Sequence, residues 1–190
     1  AVEDGGYRMA WIGFAQHDTE KSVLPVAEHG YEEGYLNSVA ITWADTDRGQ
    51  GPTGTAIRAK KTCVNQNIHT NPKFAPWREA AQKHGYSSSI ALPIIIKNEA
   101  IGAFMLYSQE PEAFAADEQE LLNELALDIS FGIENLRARI TQKQLQLDLD
   151  QAYNQYKLIA DNTDDVIWVW DVQSNCYAYI SPSVQKTHLI

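Results

Sequence analysis

A chain of 190 residues, 44% of them hydrophobic, can bury one substantial core and a second, partial unit. Its formal net charge of -10 argues against a general affinity for nucleic acid or an anionic membrane surface. The two cysteines, Cys63 and Cys176, lie far apart and fit no zinc or redox spacing, which suits a reducing compartment and leaves a disulfide open.

Residues 7–14, rich in aromatic and branched side chains, predict a first strand. A polar turn follows, and then Val23, Leu24, Val26 and Ala27 predict a second strand ended by Gly30. Pro25 assigns that strand to a sheet edge. Residues 35–43 mix polar and apolar side chains and are expected to approach a further strand. The glycine-rich stretch 49–54 reads as a turn leading into a short helix over 55–58, with a short strand around Cys63 behind it. Residues 72–84 predict a helix opened by proline and stopped by Gly85.

Residues 88–96 and 100–107 are the clearest strands, joined by Lys97-Asn98-Glu99 as a hairpin. Pro93 requires an edge or a bulge near it. At Asp117 the hydrophobic period changes from two to nearly four. Asp117 is in place to cap a helix, with Glu120 three residues on. Leu122, Leu125, Ile129, Ile133, Leu136 and Ile140 then form one stripe. After a spacing of five, a second stripe follows: Leu145, Leu149, Tyr153, Tyr156 and Ile159. A helix over 117–160 would be about 66 Å long at ~1.5 Å per residue, more than one small sheet needs for cover. The polar run 161–165 ends it, and residues 166–171 and 176–180 predict two further strands.

Several groups invite a chemical reading. Gly51-Pro52-Thr53-Gly54-Thr55 either presents backbone N–H groups to a polar ligand or is a tight turn set by geometry. It lacks the Gly-Lys-Ser/Thr ending of a nucleoside-triphosphate loop. Trp43, Phe74, Trp77 and Tyr86 are either walls of a concave site or core. Arg78 either meets an acidic ligand or faces water and neighbouring carboxylates. The possible pocket set is therefore Trp43, Thr53, Gly54, Phe74, Trp77, Arg78 and Tyr86. Histidines 17, 29, 69, 84 and 188 make no spaced metal set, and nothing indicates haem. Cys63 is read as a small buried hydrophobe. Asp117, Glu118 and Glu120 suit a helix N-terminus better than acid–base work. No catalytic residue is assigned. No apolar run reaches the roughly 18 residues of a membrane span, so a cytoplasmic location is expected for this part of the chain.

The order of several phrases resembles a GAF domain. They are Trp11-Ile12-Gly13-Phe14, Ile41-Thr42-Trp43-Ala44-Asp45, Gly51-Pro52-Thr53-Gly54-Thr55-Ala56-Ile57-Arg58, Phe74-Ala75-Pro76-Trp77-Arg78, Ser88-Ser89-Ile90-Ala91-Leu92-Pro93, Ile101-Gly102-Ala103-Phe104 and Phe114-Ala115-Ala116-Asp117-Glu118. Residues 158–171 and 179–184 resemble the beginning of a PAS domain, a likeness that fades over 185–190. The resemblance implies an α/β fold: a central antiparallel sheet with flanking helices, a long signalling helix and a partial PAS segment. The expected division is GAF domain 1–135, signalling-helix linker 136–157 and partial PAS domain 158–190. The helix that usually opens a GAF domain is expected to be missing. The phrases look like those of GAF domains beside PAS domains in bacterial sensor histidine kinases and GGDEF-type diguanylate cyclases, so a fused output domain is implied. No bilin Cys-His pair and no cyclic-nucleotide signature is present. The implied function is sensory or regulatory, coupling a small ligand or other signal to output through a dimeric helix. The alternative is a structural dimerisation module without a ligand. A homodimer is expected to bury Leu136, Ile140, Leu145 and Leu149, because that part of the stripe has no evident partner within the chain.

Overall fold

The computed structural model describes residues 2–30, 34–163 and 165–185. Residues 186–190, where the PAS-like likeness fades, and Asp164 lie outside them. The chain divides into two compact units, Ala1–Glu134 and Asn135–Ile190.

The first unit is built on a five-stranded sheet. A one-turn helix α1 (Val2–Gly5) stands where no opening helix is expected, and it precedes β1 (Met9–Ala15) and β2 (Val23–Gly30). Then come α2 (Tyr35–Ser38), a 3-10 turn (Asp47–Gln50), α3 (Pro52–Ala59) and β3 (Cys63–Asn65). A second 3-10 turn (Pro72–Phe74) leads into α4 (Ala75–Lys83), followed by β4 (Ser88–Ile96), β5 (Glu99–Ser108) and α5 (Ala116–Asn162). The strand order is β2-β1-β5-β4-β3, and every neighbouring pair is antiparallel.

Strand periodicity sorts the core into two layers. Met9 and Trp11 of β1, Ala91 of β4, and Ala103, Met105 and Tyr107 of β5 pack under α2, α3 and α4. The alternate residues Ala10, Ile90, Leu92, Ile94, Phe104 and Leu106 pack under α5 with Tyr7 and Phe114. The central strand β5 is thus buried on both faces, which is why its sequence is a nearly unbroken apolar run.

The prolines sit where their missing donors do no harm. Pro25 lies on the edge strand β2, opposite Gly13 at a bulge between Ile12 and Gly13. Pro93 lies past the end of β3, whose pairing with β4 covers only Ser89 to Ala91. A bulge follows between Ile94 and Ile95, and the Ile95 N–H donates to Ser130 Oγ of α5 at 3.1 Å.

Several elements differ from expectation. The β4–β5 connection is a two-residue turn, Lys97-Asn98, both at positive φ (50° and 64°), with Glu99 already paired to Ile96. Positive φ at both positions matches the right-handed twist of the flanking strands. Residues 35–38 form a helical turn because Tyr35 and Leu36 are drawn into the α2–α4 core. The following stretch does approach a strand, running antiparallel beside the start of β2 through Val23 N–H to Ile41 O and Trp43 N–H to Lys21 O. Helix α3 begins at Pro52 rather than 55. Helix α5 begins at Ala116, which places Asp117 inside the first turn, not at the cap; its charge still faces the positive helix terminus.

On α5 the buried positions are Leu122, Ala126 and Ser130, with Ile129 and Ile133 half-buried, whereas Leu125 is exposed. Two of the three buried side chains, Ala126 and Ser130, are small, and a search for large apolar residues overlooks them. In the second unit α5 continues to Asn162, and a hairpin of β6 (Trp168–Asp171) and β7 (Cys176–Ile180) follows. Tyr179 Oη donates to Asp161 Oδ1 at 3.1 Å, and its ring meets Tyr156, so the hairpin is tied to the end of the helix. Cys63 and Cys176 are both free thiols. No helix among the described residues is long and apolar enough to cross a membrane.

Candidate ligand cavity

The sheet face under α2, α3 and α4 leaves a small, partly open space at the start of α3. Its floor is Tyr107 of β5. Its sides are Tyr35 of α2, Phe74 and Trp77 around the start of α4, and Thr53 and Gly54 of α3; Val39, Ile41 and Arg48 belong to the loop that closes it. The cavity measures about 20 Å³. A single water requires ~10–15 Å³ on the same measure, so any larger occupant must move a wall.

The walls are held by a tyrosine cluster and an arginine clasp. Tyr35 meets Tyr86 and Tyr107 edge-on, with ring centroids 5.1 and 5.6 Å apart, and Tyr86 stacks on Tyr107 at 4.6 Å. The hydroxyls of Tyr35 and Tyr107 lie 3.4 Å apart. Burial pushes the Tyr35 phenol well above its ordinary range, and the neighbouring Tyr107 adds to the effect. Burial also raises Tyr107, partly offset by hydrogen bonding with Tyr35. Both are therefore neutral hydrogen-bonding groups near neutrality, not bases. The loop over α3 is pinned by Arg58, whose guanidinium donates to the carbonyls of Trp43, Ala44 and Gly49 at 3.0, 2.9 and 2.7 Å. Gly54 allows the approach: a Cβ there would stand 2.3 Å from Gly49 O and 2.6 Å from Thr42 O.

Of the seven pocket residues proposed from sequence, Thr53, Gly54, Phe74 and Trp77 line the cavity. Tyr86 stands behind Tyr35 and Tyr107 in the core. Trp43 turns elsewhere: its indole N–H donates to Gln16 O at 2.8 Å, and Lys21 lies over its ring. Arg78 clasps a neighbouring turn, donating to Ile68 O and Asn71 O at 3.2 and 2.8 Å. Tyr35, Tyr107 and Arg48 were not foreseen as lining residues. The period of β5 carries the signal for Tyr107, since it shares a face with Met105 and Ala103. Among the described residues no group of three His, Cys, Asp or Glu side chains is arranged to hold a metal ion.

Residues 1–134 match the family model of the GAF domain. The chain belongs to the GAF family. Its fold is similar to that of a domain of a two-component sensor histidine kinase protein from Sinorhizobium meliloti 1021, at TM-score 0.55 and 20% identity over 73% of this chain and 86% of that one. It is similar to a free methionine-R-sulfoxide reductase from Neisseria meningitidis, solved with its substrate, at TM-score 0.57 and 19% identity over 70% and 71% of the two chains. It is also similar to the GAF domain of a phosphoenolpyruvate-protein phosphotransferase from Coxiella burnetii, at TM-score 0.55 and 18% identity over 70% and 75%. No curated protein matches the chain. At these identities the likeness is one of fold.

Proposed function

We propose that the chain is a sensory or regulatory input module, in which a GAF domain over 1–135 acts on an output domain through a dimeric helical linker over 136–157. Residues 158–190 are assigned to the beginning of a PAS domain. The observation that carries this reading is α5: one uninterrupted helix begins against the GAF sheet and runs to Asn162, with Leu136, Ile140, Leu145 and Leu149 exposed. Such a helix can carry a change in the GAF core into the way two copies pair, provided the ligand favours one pairing. The occurrence of the fold in a sensor histidine kinase protein agrees with it.

The small cavity favours a second reading, a dimerisation module that takes no ligand. A defined probe separates the two. Trp77→Ala removes one wall and opens a site for indole, whose return should raise the melting temperature. A spin label at Gln146→Cys, with Cys63 and Cys176 replaced by serine, reports helix pairing. A distance distribution that shifts when indole refills the cavity supports coupling; an unchanged distribution in a stable dimer favours the structural module.

A reductase function is less well supported. Burial raises the Cys63 thiol, with Lys73 only partly opposing it, whereas attack on a sulfoxide calls for a thiolate.

A further inference from the structure

A second pocket lies on the far side of Pro52 and Phe74 from the aromatic cavity, and its chemistry is different. Strand β3 alternates Val64 toward the α5 layer with Cys63 toward the α3 layer, and Asn65 falls on the same side as Cys63. Asn65 and Cys63 line a space of about 60 Å³ together with Asn71 and Lys73. That is several times the ~10–15 Å³ needed by one water.

Asn65 is 3% exposed, and its Nδ2 is buried without a hydrogen-bond partner. Its orientation follows from its neighbours. The backbone N–H of Lys73 donates to Asn71 Oδ1 at 3.0 Å, which fixes the Asn71 amide. The Asn71 Nδ2 then donates to Asn65 Oδ1, also at 3.0 Å. Exchanging the Asn65 oxygen and nitrogen would set two donors against each other. The Asn65 Nδ2–H groups are therefore donors in search of an acceptor, and leaving a buried donor unmet is costly.

Lys73 adds a positive charge to the lining. Lys73 brings an ammonium close enough to act on Cys63, and burial keeps the Cys63 thiol in its neutral, proton-bearing form. Among the described residues no carboxylate lines the pocket, and the Gln50 amide is engaged with Asp45 at 2.9 Å.

We propose that this pocket binds a small, singly charged oxyanion of the carboxylate type, accepting from Asn65 Nδ2 and paired with Lys73. The charge suits a single ammonium, and the volume suits a group of three or four heavy atoms. This site is independent of the aromatic cavity, so its failure would leave the reading of that cavity untouched.

The test uses sodium formate and the full 190-residue chain. The Asn65 side-chain amide resonances should shift saturably in ¹⁵N–¹H spectra at constant ionic strength. Lys73→Met, a change at an exposed side chain, should weaken the apparent affinity about tenfold, the scale of one charge-assisted contact. Lys83→Met, which removes a lysine paired on the surface with Glu79, should leave it unchanged. Formate should also slow alkylation of Cys63 by iodoacetamide severalfold, with exposed Cys176 as the internal control in peptide mass spectra. A non-saturating shift overturns the proposal, as does equal affinity in Lys73→Met and wild type, or equal protection of both cysteines. Asn65→Asp, which places a negative charge at the donor, should abolish the protection of Cys63 if it folds. If it does not, the Lys73→Met comparison decides alone.

Discussion

Tyr35 and Tyr107 show how one residue type can be both wall and liability. Their phenols are raised chiefly by burial, so the folded state resists ionisation that the unfolded chain allows above about pH 10. Because the folded values are the higher ones, full stability holds below the unfolded tyrosine pKa and is lost as pH climbs toward the folded value. Each tyrosine kept neutral should steepen the fall by about 1.4 kcal/mol per pH unit. Urea melts between pH 9 and 11 should therefore show a shallower loss in Tyr35→Phe and in Tyr107→Phe than in the parent; parallel curves would contradict the burial argument. Gly54 is constrained by space, with backbone oxygens of Gly49 and Thr42 where a Cβ would stand. Gly54→Ala should cost more than about 2 kcal/mol, measured as a change in urea midpoint, because the obstacles are backbone. The glycine-rich run pointed to this place in the sequence, although nothing there said whether a ligand or the loop itself came close. Trp43 and Arg78 illustrate the limit: an aromatic or a cation beside a turn looks the same whether it faces a ligand or clasps a carbonyl.

At the scale of elements, β4, β5 and α5 were legible because their periods are strong and their side chains large. The α2 turn was not, since its two core residues, Tyr35 and Leu36, are too few to set a period. The sheet-facing stripe of α5 was only half legible, because Ala126 and Ser130 carry no apolar signal. Ser130 has a specific task there. Its hydroxyl donates to Ala126 O at 2.7 Å and accepts the Ile95 N–H freed by the β4 bulge. Ser130→Ala should leave that N–H buried and unmet, at about 1–3 kcal/mol. Hydrogen exchange at the Ile95 amide should quicken along with the loss of stability. A variant as stable as the parent, with unchanged Ile95 exchange, would show that the bulge satisfies itself.

For the whole molecule, the proposed function rests on how two copies of the helical linker would pair. The sequence placed Leu136, Ile140, Leu145 and Leu149 near one partner, and the structure keeps the helix α-helical through all four. At ~100° per residue, Leu145 lies about 140° around the axis from Ile140 and about 180° from Leu136. Leu145 and Leu149 share one side, which Ala138 and Tyr156 continue, whereas Leu136 and Ile140 share another side with Leu147 and Leu158. A straight two-helix seam can bury one set or the other, not both. Both sets are well exposed, at 60% or more for the four leucine and isoleucine positions. Two seams on one helix allow two pairings, and a change in the GAF core can act by shifting the balance from the more stable pairing to the other. The proposed dimer is expected to rest on Leu145 and Leu149, whose side carries the longer run of aligned apolar positions in the linker. Leu145→Glu/Leu149→Glu should then weaken association at least tenfold in sedimentation across a concentration series. Leu136→Glu/Ile140→Glu should alter it less, and Gln146→Glu hardly at all. Equal loss from the two double variants would mean that both seams are filled together, as in a four-helix contact. Unchanged association in the Leu145→Glu/Leu149→Glu chain would remove this seam, and with it the route proposed from GAF core to output.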